Sequence, residues 1–272
     1  MKTKETLLTN ATLFSGCNEN AEAGAVVWLK DGLVQYAGAA AQLPADAPQE
    51  STNEASVIDV AGKFVMPGMT ETHAHLSFAD DSPFAIGETS VEAATITAVN
   101  NAKLMLASGF TSAVSFGSTH EIDVALRHAI ESGQIEGPRL LAAGQDLGAT
   151  ASNVDSKGAL SQIADGPWAL RKAVREQRRQ GVDIVKIFID GEAINPTNPP
   201  GELAFTDEEV AVIVDEAKRR KLRVACHARS AAAVKQAVRA GVELIGHANY
   251  LCLLYTSPSP RDATLSRMPS SA

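Results

Sequence analysis

The stretch DEEVAVIVDEAKRRKLRVACHARSAAAVKQAVRAGVELIGH, residues 207–247, decides the fold. It holds two helical segments, 207–220 and 231–240, each followed by a short apolar run, 222–226 and 243–245. The segments carry apolar residues at helical spacing, whereas the runs are too short for helices and suit strands. Thr206 followed by Glu209 has the spacing of a capping box, and Gly241 lies just past the second helix. His227 follows the first run directly, and His247 follows the second after Gly246.

The same rhythm runs back to Pro67. Helices are expected at 91–107, 122–131 and 167–180, with Gly109, Gly133 and Gly181 just beyond helix ends. Strands are expected at 65–70, 111–116, 139–143 and 184–189. Short apolar runs alternating with helices imply parallel strands buried on both faces. Six such units would suit an open doubly wound sheet or most of a (β/α)8 barrel. The barrel is preferred because polar residues recur at strand C-terminal ends, where barrels keep their sites. The expectation is an α/β chain with an incomplete (β/α)8 TIM barrel of about six β-α units over residues 67–250.

Residues 1–66 read differently, as short strands and turns. Runs 25–29 (AVVWL) and 33–37 (LVQYA) flank Asp31-Gly32, a hairpin signal. Runs 56–60 and 63–66 suggest a second strand pair around Ala61-Gly62. This region is expected to form part of a small β-sandwich. Residues 251–272, LCLLYTSPSPRDATLSRMPSSA, have no helical period, are similar to translated adapter sequence, and are expected to be non-native or disordered.

Composition narrows the function. The 272 residues are 45% hydrophobic, with 24 Lys and Arg against 32 Asp and Glu, a net charge of -8. That balance argues against nucleic-acid binding, which rests on cations facing phosphates. The basic run at 171–179 reads as the solvated face of a helix. No window approaches the roughly 18 apolar residues of a membrane span, and residues 1–10 (MKTKETLLTN) have no apolar core of signal-peptide length. Three cysteines, Cys17, Cys226 and Cys252, suit a reducing compartment without disulfides. A cytoplasmic protein acting on a small molecule, without nucleic acid or membrane, is expected.

The chain has six histidines, and four of them sit at the ends of three expected strands. His73 and His75 stand at i and i+2, so in a strand they share a face. Each histidine alone would pass for a packed polar residue. Together with His227 and His247 they point to one metal site, since imidazole is the commonest neutral nitrogen ligand of zinc. Lys186 interrupts the apolar run IVKIFI at 184–189. A lysine in a buried strand either snorkels to water or is paired or chemically altered. Carboxylation by carbon dioxide would give a carbamate able to bridge two metals.

Residues 59–68 (DVAGKFVMPG) running into Thr72-His73-Ala74-His75-Leu76 resemble the entry to the barrel of the metal-dependent amidohydrolase superfamily. Residues 125–141 (ALRHAIESGQIEGPRLL) and 205–247 are similar to its prolidase-like and imidazolonepropionase-like branch. The resemblance implies two divalent ions, zinc by default. His73 and His75 would hold the more buried ion, Lys186 would bridge as N6-carboxylysine, and His227 and His247 would hold the second. It further implies hydrolysis of an amide or peptide-like C–N bond by a metal-bridging hydroxide, in a substrate such as a dipeptide or N-acyl amino acid.

The chain also departs from that pattern. Family members carry an Asp at the end of strand eight; Asp262, in PSPRDA, does not fit that place, so no catalytic proton carrier is assigned. Residues 144–150 (GQDLGAT) lack the Gly-Gly-His of the branch, and Ser115-Phe116-Gly117-Ser118 stands where it has Arg-Asp. The chain is therefore expected to be a C-terminally truncated member. Its full-length parent would carry two further β-α units and could form a homo-oligomer. Alternatives are a mononuclear deaminase or cyclic-amide hydrolase of the same superfamily, or an inactive fragment. Strand-end residues His120, Arg229 and Tyr250 are the candidate substrate contacts, with Gln145, Asp190 and Asn249 beside them. Arg229 could clamp a carboxylate or simply make a surface ion pair. Cys226 is poorly placed to pair with the adjacent His227 as a nucleophile, because neighbours on a strand face opposite ways.

Overall fold

A computed structural model describes residues 5–17, 19–80, 86–155, 158–192, 195 and 198–251. The chain divides into two compact units at Gly68/Met69.

The first unit is one sheet of β1 (Glu5–Leu13), β2 (Glu22–Lys30), β3 (Leu33–Ala39), β4 (Ala55–Asp59) and β5 (Phe64–Val65). Asp31 and Gly32 both take positive φ, 52° and 77°, which joins β2 to β3 by a tight hairpin. β1 is central: β2 pairs with one edge antiparallel, while β4 and β5 line up parallel along the other. This corrects one expectation, since β4 and β5 are not partners of each other. Both reach β1, and the turn at Ala61-Gly62 only steps the chain from one stretch of β1 to the next. β1 escaped the sequence reading because ETLLTNATL alternates poorly, with Asn10 at φ 56° breaking its register. Leu7, Val26, Trp28 and Ala47 form one small core, and Leu13, Ala25 and Val27 another.

The second unit runs β6 (Met69–Ala74), α1 (Val91–Ala107), β7 (Phe110–Ser115), α2 (Ile122–Glu131), β8 (Arg139–Leu141), β9 (Asp146–Gly148), β10 (Ser161–Ile163), α3 (Gly166–Gln180), β11 (Ile184–Phe188), α4 (Asp207–Arg219), β12 (Arg223–Ser230), α5 (Ala231–Ala240) and β13 (Leu244–Tyr250). Every strand pairing in it is parallel, in two runs, β6-β7-β8 and β10-β9-β11-β12-β13. The runs meet where the carbonyl of Ala142 accepts the backbone N–H of Asp183 and of Ile184. β8 and β9 are thus two halves of one wall strand, broken at Gly144, whose φ is 68°. Counting them as one gives the six parallel wall strands of a partial barrel. The stretch 144–150, where no strand was expected, contributes β9, and β10 adds to its free side.

The helices form for local reasons. Thr206 and Glu209 make both bonds of a capping box on α4, worth about 1 kcal/mol. Asp207, Glu208 and Glu209 occupy its first turn and Lys218 and Arg219 its last, matching the helix dipole at both ends. α3 begins with Pro in its first turn and ends on Gly181 at φ 99°. α1 packs through a small-residue stripe, Ala94, Ala98 and Ala102.

Strand alternation sorts side chains to two layers. On β11, Val185 and Ile187 join the large core beneath α3, α4 and α5, while Ile184 faces the interior cluster of Phe116, Ala143 and Ala225. Lys186 shares the parity of Ile184 and faces inward. On β12, Cys226 and Ala228 pack outward, so His227 faces inward with Ala225. Cys226 is buried in the outer layer, where desolvation pushes its thiol up to about 12, as the opposite-face expectation required. Among the described residues no helix is long and apolar enough to cross a membrane. The tail expected at 251–272 lies, after Leu251, outside the described residues.

Candidate metal centre

Four imidazoles from three strands meet at one mouth of this partial barrel. The ring centroids of His73 and His75 are 5.2 Å apart, those of His73 and His247 4.7 Å, and those of His227 and His247 4.5 Å. They line one cavity of about 260 Å3 together with Lys186. The five residues expected to form the site are therefore together in space.

His247 reaches the mouth by an irregularity. Leu244 packs toward the interior cluster and Ile245 toward the outer core, so regular alternation would turn position 247 outward. His247 and Ala248 instead adopt φ of 72° and 51°, beside a register shift against β12. Positive φ is uncommon for residues with a Cβ and clusters at functional sites. Gly246 clears the space: a Cβ there would lie 2.8 Å from Cε1 of His73 and 2.8 Å from the Phe116 ring.

The imidazoles are held neutral and aimed. Desolvation, reinforced by the Lys186 charge, lowers His73 to about 3, His75 to about 4 and His227 to about 2. His247 is exposed yet also lowered, first by desolvation and then by Arg229. Nδ1 of His75 lies 3.0 Å from the carbonyl oxygen of Gly117. A carbonyl only accepts, so Nδ1 carries the proton and Nε2 keeps its lone pair. Nε2 of His227 likewise lies 3.3 Å from the carbonyl of Gly191, which leaves Nδ1 as an acceptor. That Nδ1 is buried, makes no hydrogen bond to the described residues, and faces Oε1 of Glu192 at 3.4 Å. Two electron-pair donors facing each other repel unless a cation lies between them. Glu192, His227 and His247 place one donor atom each within 4.8 Å of one another. Nitrogen and carboxylate donors in this arrangement fit a divalent ion such as zinc.

Lys186 is 1% exposed and stands between two aromatic rings, its Nζ 5.0 Å from the centre of Phe116 and 4.7 Å from that of Phe188. It donates to the carbonyl of Phe116 at 3.1 Å and lies 3.7 Å from Oδ1 of Asp146. Burial lowers its pKa, and Asp146 opposes that shift. Gly117 lets the carboxylate in: at φ 122°, a Cβ there would stand 2.4 Å from Oδ1 of Asp146.

Of the candidate substrate contacts, Arg229 lines the cavity. Its Nη2 pairs with Glu192 at 2.7 Å and its Nη1 donates to Asn249 at 2.6 Å. His120 and Tyr250 are corrections, for neither lines the cavity. His120 sits in a turn at φ 51°, its N–H bonded to Ala159, and Tyr250 is 54% exposed at the end of β13. Gln145 spends its amide on the carbonyls of Ala159 and Ser161, tying β9 to β10. Asp190 receives the backbone N–H groups of Gly201, Arg229 and Ser230, bracing the loops around the mouth.

Asp146, Glu192 and Asn153 line the cavity but were not read as site residues. Glu192 was within reach of the strand-end rule, standing two positions after Asp190 beyond β11. Asp146 was not, because the break at Gly144 hid β9.

The fold and site define a class: a parallel α/β barrel wall whose strand ends carry a histidine cluster suited to a divalent cation. Residues 64–265 match the model of the Amidohydrolase family, and the chain belongs to that family. It is 28% identical over 278 residues to ochratoxinase of Aspergillus niger, covering 91% of this chain and 55% of that protein. It is 25% identical over 199 residues to imidazolonepropionase of Brevibacillus brevis, covering 73% of this chain and 43% of that protein. A solved prolidase complexed with N-methylphosphonate-L-proline superposes with a TM-score of 0.81 at 28% identity, covering 92% of this chain and 62% of that one. The chain spans about half the length of the curated relatives it matches.

Proposed function

We propose that this chain carries the metal site of a hydrolase that cleaves an amide or peptide-like C–N bond in a small substrate such as a dipeptide or an N-acyl amino acid. The observation that supports this best is the meeting of His73, His75, His227 and His247 with buried Lys186 at one cavity. His73 and His75 would hold one divalent ion, and His227, His247 and Glu192 a second. Lys186, as N6-carboxylysine, would join them. Such ions supply Lewis-acid polarisation of the scissile carbonyl and activation of water.

The chain's own residues do the rest. The carbonyls of Gly117 and Gly191 fix the tautomers of His75 and His227, so their lone pairs face the cavity. Glu192 holds Arg229 at the cavity wall. Phe116 and Phe188 flank Lys186 and keep water from its Nζ. The names of the relatives, a prolidase and an ochratoxinase among them, support an amide substrate.

One observation favours a second reading with a single ion. Lys186 pairs with Asp146 as an ammonium would, while Glu192, His227 and His247 alone make a compact donor set. Metal content by elemental analysis separates the two. With a bridging lysine, Lys186→Ala lowers bound zinc from two ions toward one. Unchanged stoichiometry removes the bridging role. No release of amine from a panel of dipeptides and N-acetyl amino acids by zinc-loaded protein removes the hydrolase reading.

A further inference from the structure

Asn153 is 2% exposed and lines the metal-site cavity. Its Oδ1 accepts a hydrogen bond from Nδ2 of Asn195 at 2.8 Å, which fixes the plane of the amide. Its own Nδ2 has no hydrogen-bond partner among the described residues. Leaving such a donor buried and unmet costs roughly 1–3 kcal/mol, so its survival on a cavity wall calls for an acceptor that arrives from outside. A second donor on the same cavity is in the same state. Nε of Arg229 is buried and has no partner among the described residues, although both terminal nitrogens of that guanidinium are engaged, one with Asn249 and one with Glu192. Glu192 and Asn249 therefore hold the guanidinium in place without using its Nε–H.

We infer that Asn153 is a specificity-determining residue that, with Nε of Arg229, receives a carboxylate of the substrate. Two N–H donors, one of them on a cation, match the paired oxygens of a carboxylate, whereas a neutral amide offers one oxygen and competing N–H groups. The carboxylate belongs to the small molecule whose C–N bond the site is proposed to cleave, so the identity of the ligand rests on the hydrolase reading. The donor geometry does not. Asn153 touches none of the proposed metal ligands through a hydrogen bond, and its role is to choose the substrate rather than to take part in bond cleavage.

The test uses the whole 272-residue chain, treated with EDTA so that no carboxylate can bind through a metal. Binding of N-acetyl-L-alanine and of its C-terminal amide, N-acetyl-L-alaninamide, is followed by NMR titration in the wild type, Asn153→Asp and Asn153→Ala. Wild-type protein is expected to prefer the acid by roughly tenfold, the worth of one charge-assisted hydrogen bond. Asn153→Asp places a carboxylate against the ligand and should abolish or reverse that preference. Asn153→Ala should reduce it while leaving the amide-capped ligand unchanged, which also reports that the variant is folded. The inference is overturned if the wild type binds neither probe or both equally at millimolar concentration, or if Asn153→Asp keeps the preference. Release of alanine from the acid by zinc-loaded wild type is measured separately. Selective binding without release leaves the Asn153 subsite standing and counts against the hydrolase; release with no effect of Asn153→Asp does the reverse.

Discussion

Nζ of Lys186 and Oδ1 of Asp146 stand 3.7 Å apart, with side chains 1% and 2% exposed. The pair joins the neighbouring strands β11 and β9 on the inner side of the barrel wall, where neither charge has water to turn to. Removing one member of a buried pair strands the other and is strongly destabilising. Asp146→Asn is therefore expected to lower unfolding stability by about 3 kcal/mol or more. Urea denaturation checks this, and a loss below about 1 kcal/mol would mean that Lys186 is stabilised by Phe116 and its carbonyl alone.

Gly246 sits against His73, the first of the proposed metal ligands. In Gly246→Ala the new Cβ meets Cε1 of His73 and the Phe116 ring at 2.8 Å; Phe116, 2% exposed, has no room to retreat, so the His73 ring on the cavity wall must shift. Overpacking of this kind costs about 1–3 kcal/mol. The displaced ring should weaken zinc binding tenfold or more while the protein stays folded. Calorimetric titration with zinc beside a thermal melt separates the two effects.

Glu216 on α4 holds three arginines: Arg175 at 2.8 Å, Arg220 at 2.9 Å and Arg171 at 3.2 Å. Its carboxyl is lowered from 4.5 to about 2, chiefly by Arg175. A depressed carboxyl stabilises the folded state above its unfolded pKa and loses that contribution as pH falls toward the folded one. The stability gap between wild type and Glu216→Gln should thus be full at pH 7 and shrink between pH 4.5 and about 2. A gap that is flat across that window would show that the arginines, a quarter to a half open to solvent, contribute little.

Much of this was legible in the residues. Helices such as α1, α2 and α5 keep their expected bounds because caps and glycines at their ends act locally. His73 and His75 were readable from strand parity, a rule of period two that needs no tertiary knowledge, Lys186 from its place inside an apolar run, and His227 from its place at a strand end. His247 came from the same strand-end rule, but its inward aim depends on a positive φ that no pattern announces. β1 was hidden by its bulge, and the partners of β4 and β5 by the fact that pairing is chosen at long range. Asp146 was invisible because its strand is broken, and Asn153 because its meaning lies in an unmet donor rather than in residue type.

The proposed function stands on separate strands bringing their imidazoles, with Glu192, close enough to share metal. Zinc retained after dialysis, counted per chain in the wild type, His227→Ala and His75→Ala, tests it most directly. Retention in the wild type with a clear loss in each variant is predicted, the loss being steeper for His227→Ala because Glu192 and His247 then lack their third donor. Equal zinc in all three proteins, or none in any, would contradict it.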